Sequence, residues 1–387
     1  MSELTEEKPD ARLRPMLALG PPAAVVVLAN LVCWLSAARH GFDFFHSGTW
    51  VRFDSLLYED ISRHGYNLFS CARIHRYTPA DYCGNAGWFP GYPTLLWVGE
   101  RLGLSAPATG VVVSVGFEFG LLLVLWNGFL RHGRDRAAAL MALATAGFFF
   151  GQVYQRAVFP ISMEIFFLLL TVWFAQRRWW VRTGLAGAAA AFTYSTGFLL
   201  IAALGLWILL EPSIGPFLGK VRAAIVACGL TLVGYLAVLT VQRIGTGTWS
   251  AFFKIQKKYG YSGLHLPTSK LAVTLRPLFA QGLGRHQVAA LQTLLVAVLC
   301  VGLAGWALWQ RRNLEPLDRL VLTTVLVFWL FPLSLGADVH LYRSEALLLP
   351  SVLLTRKLPR AVQAVALGGL VVLSYVMSAL YFQRVLI

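Results

Sequence analysis

Apolar runs long enough to cross a bilayer recur along the chain, separated by short clusters of basic residues. They cover residues 16–38, 106–130, 137–152, 160–175, 221–241, 287–308, 317–335 and 361–382. Each is close to the length a helix needs to cross about 30 Å of hydrocarbon. The run at 16–38 exceeds the core of a cleaved signal peptide, so it reads as a retained first helix. Two stretches break the pattern. Residues 183–210 would measure about 42 Å as one straight helix at about 1.5 Å per residue, and 345–354 is too short to span alone.

Positive charge resolves both. The loops bearing Arg131/Arg134/Arg136, Arg177/Arg178/Arg182, Lys220/Arg222, Arg311/Arg312/Arg319 and Arg356/Lys357/Arg360 all face the cytoplasm if the positive-inside rule holds. That placement demands an even number of crossings between Arg182 and Lys220. Residues 183–210 are therefore predicted to form a broken hairpin of two short helices that turns at Ser195-Thr196-Gly197, with Gly197 supplying the break. One long tilted helix is the alternative. The same parity makes 345–354, lengthened by its neighbours, return to the cytoplasm. The expectation is one all-α transmembrane domain over 1–387, with about eleven membrane segments and a cytoplasmic N-terminus. Polar-rich stretches at 39–105, 154–159, 193–197, 242–286 and 336–344 then face outward.

Composition agrees with this class. Hydrophobic residues make up 57% of the 387 and charged residues 13%, against roughly a quarter charged in soluble domains, and this excludes a soluble globular enzyme. A formal charge of +15 would otherwise suggest a nucleic-acid partner, but the cations sit in topology-setting clusters, so no nucleic acid is expected. The Ala, Leu, Val, Gly and Arg richness points to a bacterial plasma (inner) membrane. Of five cysteines only Cys71 and Cys83 lie outside apolar runs. Both fall in one outer loop, and they are predicted to close a short disulfide ring worth about 3 kcal/mol by chain entropy.

The chemistry-bearing residues collect in the outer stretches. A helix beginning at Asp54 puts Asp54, Tyr58 and Ile61 on one face and ends at Gly65; a lone Asp in that place is ordinarily a helix cap. The segment Gly87-Trp88-Phe89-Pro90-Gly91-Tyr92-Pro93 opens a second short helix to Leu102, expected at the membrane interface. Because ATP and sugar nucleotides are cytoplasmic, an enzyme with its polar groups outside needs an activated substrate carried through the bilayer on a lipid.

The pattern Phe53-Asp54-x-x-x-Tyr58-x-x-Ile61-Ser62-x-x-Gly65-Tyr66, followed by Trp88-Phe89-Pro90-Gly91-Tyr92-Pro93, resembles the PIG-V-like family, the GPI mannosyltransferase II proteins and their bacterial relatives. Three later stretches, Pro160-Ile161-Ser162-Met163-Glu164, Phe192-Thr193-Tyr194-Ser195-Thr196-Gly197 and Phe252-Phe253-Lys254-Ile255-Gln256, resemble in order the family's Pro-x-Ser-Glu helix start, its Thr-Arg-x-x-Gly turn and its loop ending in Gln. The resemblance implies a GT-C glycosyltransferase fold, a polyprenyl-phosphate sugar donor, a lipid or glycan acceptor, and Asp54 as catalytic base. Tyr194 stands where the family pattern has arginine, Phe53 where it has tryptophan, and 71–83 reads as an insertion.

Sugar transfer from a lipid phosphate to an alcohol needs a carboxylate beside the acceptor hydroxyl and cations beside the departing phosphate. His340 and Arg343, three apart in the last outer loop, are the candidate phosphate ligands; an arginine at that depth also snorkels to headgroups. Residues 242–286 contain seven Lys or Arg and no acid. Interleaved with Trp249, Phe252, Phe253 and Tyr259, this stretch is expected at the interface, with Lys254 and Lys257 drawing in the anionic donor or binding membrane lipids. Tyr58, Glu59, Asp60, Glu164, Tyr194 and Gln256 complete the candidate substrate contacts, Glu164 because an ionisable group at the outer end of an apolar helix ordinarily faces a cavity. Glu59, Asp60 and Asp81 could join Asp54 around a divalent ion, but scattered acids on a helix are usually solvated, and no metal or other cofactor is predicted. A transporter or flippase of a lipid-linked substrate is the competing class, and a purely structural subunit the third. A transporter should show matching broken helices in two halves, whereas one half here is loop-rich and the other loop-poor.

Overall fold

The computed structural model describes residues 13–73, 80–133, 135–259, 263–279, 285–311, 313–335 and 341–386. His340, Arg134 and Arg312 lie outside the described residues. The architecture is that of an all-α polytopic membrane protein, 78% helical, with one two-stranded hairpin among the described residues.

The chain begins with α1 (Leu13–Arg39), followed in the first long connection by α2 (Asp54–His64), the strands β1 (Leu68–Ser70) and β2 (Tyr82–Gly84), and α3 (Gly91–Arg101). Next come α4 (Ala106–Leu125), which runs on through a π-turn at Trp126–Leu130, then α5 (Arg136–Gly147), α6 (Val153–Arg156) and α7 (Ile161–Gln176). The middle of the chain forms α8 (Trp180–Thr193), α9 (Leu199–Leu210), α10 (Phe217–Thr246), α11 (Ala251–Lys258) and α12 (Pro267–Leu275). It closes with α13 (Arg285–Trp309), α14 (Pro316–Ser334), α15 (Leu341–Ser344), a 3-10 turn Glu345–Ser351 leading into α16 (Val352–Thr355), and α17 (Arg360–Phe382). Among the described residues six helices are long and apolar enough to cross a membrane: Met16–Arg39, Ala106–Leu130, Phe217–Thr246, His286–Trp309, Pro316–Ser334 and Arg360–Phe382. Their outward faces carry exposed Val27, Leu28, Ile225, Val233, Val298 and Val365, as surfaces bathed by lipid require.

Local signals set the helix ends. Ser105 and Asp135 accept the backbone N–H of Ala108 and Ala138 as N-caps, and Glu315 with Asp318 forms a capping box before α14. The predicted break at Gly197 is present, with α8 ending at Thr193 and α9 starting at Leu199. A Cβ at Gly197 would collide with the Ala190 backbone, so only glycine lets the chain fold back on α8. One expectation fails here. The run 137–152 is not one helix: α5 stops at Gly147, and Gly151 at φ +68° turns the chain into the short α6. Tyr154, Gln155 and Phe159 are consequently buried rather than forming an outer polar loop.

All five basic loops share one end of the bundle, joined by polar contacts. Arg360 pairs with Asp135 at 3.0 Å, Arg356 with Glu315 at 3.4 Å and Arg319 with Glu211 at 2.9 Å, while Lys357 holds Asp318. Arg178 donates to the Ser213 carbonyl at 2.5 Å. At the opposite end the α8–α9 turn lies against the start of α3, where a Cβ on Gly91 would sit 2.9 Å from Thr193 Cα.

Helices α8 and α10 approach closely along small residues. A Cβ on Gly184 would meet Leu230 at 2.6 Å, and one on Gly234 would strike the Ala188 carbonyl. Such contacts let dispersion and backbone proximity do what the hydrophobic effect cannot do within lipid. Gly234→Val is therefore expected to destabilise the protein by about 1–3 kcal/mol; an unchanged thermal unfolding midpoint in detergent would refute this account of the seam.

Candidate functional site

The site begins at a rigid turn. The Trp50 carbonyl accepts both the Val158 N–H at 3.2 Å and the Tyr381 hydroxyl at 2.7 Å, and the Trp50 indole donates to the Phe44 carbonyl at 2.9 Å. Phe53 then adopts φ 42°, ψ −102°. A non-glycine residue held there costs on the order of 1–3 kcal/mol, and such strain concentrates at functional positions. Phe53 occupies the N-cap position of α2 without any side-chain cap. Asp54 is the first helical residue, so the capping reading is excluded and its carboxylate is turned elsewhere.

It is turned to Arg343, whose Nη1 donates to Asp54 Oδ2 at 2.5 Å across 289 residues of sequence. Both side chains are partly exposed, Asp54 at 26% and Arg343 at 16%, so the pair sits where a ligand can reach it. Around it stand aromatic rings. The Arg343 guanidinium lies 5.7 Å from the Phe159 ring centre, Tyr154 stacks on Tyr342 at 6.1 Å, and Tyr58 makes edge contacts with Tyr92 at 5.6 Å and Phe159 at 6.0 Å. Burial pushes the Tyr58 phenol well above its usual range, with the nearby Tyr194 and Asp54 adding to the shift, so it remains protonated. For Arg343, burial would lower the pKa, but the Asp54 carboxylate more than offsets it and keeps the guanidinium cationic.

Parts of three separated motifs therefore meet at one point, Asp54 and Tyr58 of the first, Tyr92 of the second and Tyr194 of the α8–α9 turn, joined by Phe159, which immediately precedes Pro160. Several other candidates serve different places. Asp60 binds His64 at 2.9 Å and the Asn85 amide at 2.7 Å, which latches α2 to the hairpin closed by the Cys71–Cys83 disulfide. Glu59 lies beside Arg63 at 3.7 Å between α2 and α3; burial raises its pKa, partly countered by Arg63. The Gln256 amide donates to the Gly87 carbonyl at 3.3 Å, and Lys254 sits 4.4 Å from the Tyr82 ring centre. Lys257 is exposed. Stretch 242–286 is thus not a loop throughout: α10 carries it to Thr246, and α11 then packs on Gly87 and the disulfide hairpin. Among the described residues no hydrogen bond or ion pair links Lys254, Lys257, Asp60 or Gln256 to the Asp54–Arg343 pair. Glu164 is fully buried in the first turn of α7, and neither carboxyl oxygen has a hydrogen-bond partner among the described residues.

Sequence reasoning placed Tyr154, Phe159 and Tyr342 in the outward stretches 154–159 and 336–344 but singled out none of them, since an aromatic ring there has no spacing of its own; the adjacency of Tyr342 to Arg343 and of Phe159 to Pro160 was the further signal. Among the described residues no group of three or more His, Cys, Asp or Glu side chains gathers as a metal site. Comparison of the chain with protein-family models and with curated proteins finds no match.

Proposed function

We propose that the protein is an inverting glycosyltransferase of GT-C architecture that moves a hexosyl group, mannose in the first instance, from a polyprenyl-phosphate donor to a lipid or glycan hydroxyl at the outer membrane face. The observation that supports this reading is the convergence of three separated motifs on one carboxylate–guanidinium pair. Asp54 takes the acceptor's proton while the acceptor oxygen attacks the anomeric carbon from the face opposite the phosphate. The bond from that carbon to the phosphate oxygen breaks, and polyprenyl phosphate leaves as an anion that Arg343 neutralises, so no general acid is required. In the resting protein each group occupies the other. A donor phosphate drawing Arg343 away frees Asp54 to act as base, which makes donor binding precede acceptor activation. Lys254 and Lys257 would draw the anionic donor toward the pair by charge alone, and the chemistry requires neither a metal nor another cofactor.

The topology that supports this reading has eleven membrane segments, with the short α8, α9 and Glu345–Thr355 stretches among them and the shared basic end in the cytoplasm of a bacterial inner membrane. Cysteine at Ser195, in a background lacking native cysteines, is expected to react with an impermeant thiol reagent applied to intact cells. Labelling only after permeabilisation would reverse the orientation.

The direct test is incubation of purified protein with short-chain polyprenyl-phosphate mannose and a panel of glycolipids, followed by mass analysis. A glycosylated product with release of polyprenyl phosphate is expected. The buried, unpartnered carboxyl of Glu164 favours the transporter reading, which predicts movement of the lipid-linked sugar across reconstituted vesicles and no transfer.

A further inference from the structure

A buried polar knot lies beside the site but takes no part in the chemistry above. Gln292, fully buried on α13, uses a single amide to tie three segments together. Its Nε2 donates to the Tyr342 carbonyl at 3.0 Å and to Glu345 Oε2 at 2.6 Å, and its Oε1 accepts the Gly151 N–H at 3.3 Å. Gly151 closes onto the same place from the other side. At φ +68°, a Cβ there would lie 3.0 Å from the Tyr342 oxygen and 3.1 Å from Ala346 Cβ. Placing an amide and a carboxyl inside an apolar bundle is costly unless every group is partnered, and an apolar filler would pack α13 at lower cost.

The three hydrogen bonds indicate what the knot holds. Arg343 sits on α15, only four residues long, and one turn of helix has little stability of its own. The Tyr342 carbonyl belongs to the peptide unit from which Arg343 departs, and Glu345 follows two residues later, so Gln292 holds the backbone just before the arginine and the Glu345 side chain just after it. Gly151 begins the turn that presents Tyr154, whose ring stacks on Tyr342. One amide therefore sets the direction of the guanidinium and of the aromatic wall beside it.

We propose that Gln292, acting with Glu345, is a positioning residue for Arg343 that fixes the guanidinium where a phosphate of the donor is received; this rests on the reading of Arg343 as a phosphate ligand. The test uses full-length protein in detergent with two probes, a short-chain polyprenyl monophosphate for equilibrium binding and the corresponding polyprenyl-phosphate mannose for kinetics. Gln292→Glu sets two carboxyls against each other and is expected to weaken phosphate binding and raise donor KM about tenfold, with a smaller change in kcat. The paired swap Gln292→Glu with Glu345→Gln restores a donor and an acceptor between the two side chains but leaves the Tyr342 carbonyl without its amide donor, and should recover part of the loss. In an Arg343→Ala background Gln292→Glu should add nothing, because both act through one group. Glu345→Gln alone keeps the side-chain size and serves as the second variant, expected to shift KM in the same direction at an unchanged thermal midpoint. Normal phosphate binding in both single variants while Arg343→Ala loses it would overturn the positioning role and leave the site reading intact, as would a Gln292→Glu loss that adds fully to that of Arg343→Ala. Wild-type protein that neither binds the monophosphate nor transfers mannose would remove the site reading and this inference together.

Discussion

Replacing Asp54 by Asn is expected to lower turnover by about 10³-fold while donor binding is kept or tightened. A base contributes only as the proton moves, so its loss falls on kcat rather than on donor affinity. The ion pair sharpens the expectation. Asn leaves Arg343 without its anionic competitor, so a donor phosphate no longer displaces a carboxylate, and Kd for polyprenyl monophosphate should stay level or fall. A side chain that merely shaped α2 would move neither quantity much, since Asn matches Asp in size and the Asp54 carboxylate caps nothing. Turnover within about tenfold of wild type, in a folded protein, would transfer the base role to Glu59, Asp60 or Glu164.

Arg343→Ala is expected to weaken donor binding by about 10- to 100-fold, the range for losing a hydrogen-bonded charge partner at a partly dehydrated site. It should also slow turnover, because the leaving phosphate loses its counter-charge. Arg343→Lys should recover only part of this, since an ammonium cannot reproduce the planar fork that reaches two phosphate oxygens. Isothermal titration with polyprenyl monophosphate decides the matter. Unchanged affinity in the alanine variant would shift phosphate binding to Lys254 and Lys257 and leave Arg343 as a partner of Asp54 alone.

Local features of the fold were readable from the chain; distant pairings were not. Length against bilayer thickness, with the parity of basic loops, predicted the break at Gly197, and the α2 face bearing Asp54, Tyr58 and Ile61 followed from helical period. The disulfide partners were readable because only two cysteines fall outside apolar runs. By contrast, nothing in local pattern links Asp54 with Arg343 or Gln292 with Gly151, because these contacts depend on how whole helices pack. The setting of the α11 lysines was hidden for a related reason. Their charge and aromatic spacing marked an interfacial helix, but the hairpin under that helix captures Lys254 on Tyr82. Tyr194, at the α8–α9 turn, stands within electrostatic reach of the Arg343 guanidinium, which arrives from another segment.

The polar contacts joining all five basic loops make the bundle mechanically lopsided. Cross-linked at one end by Asp135–Arg360, Asp318–Lys357 and Glu211–Arg319, the helices behave like rods set in a common base. The opposite end, where Asp54 lies, is tied by the Asp54–Arg343 pair and by hydrogen bonds such as Tyr381 to Trp50, so a parting that admits a lipid tail sideways opens there once Arg343 is drawn away. Amide hydrogen exchange should accordingly quicken along each long helix from the clamped end toward the Asp54 end, and raising the salt concentration should loosen the half-exposed Asp135–Arg360 pair while leaving those on the buried Asp318 and Glu211 largely intact.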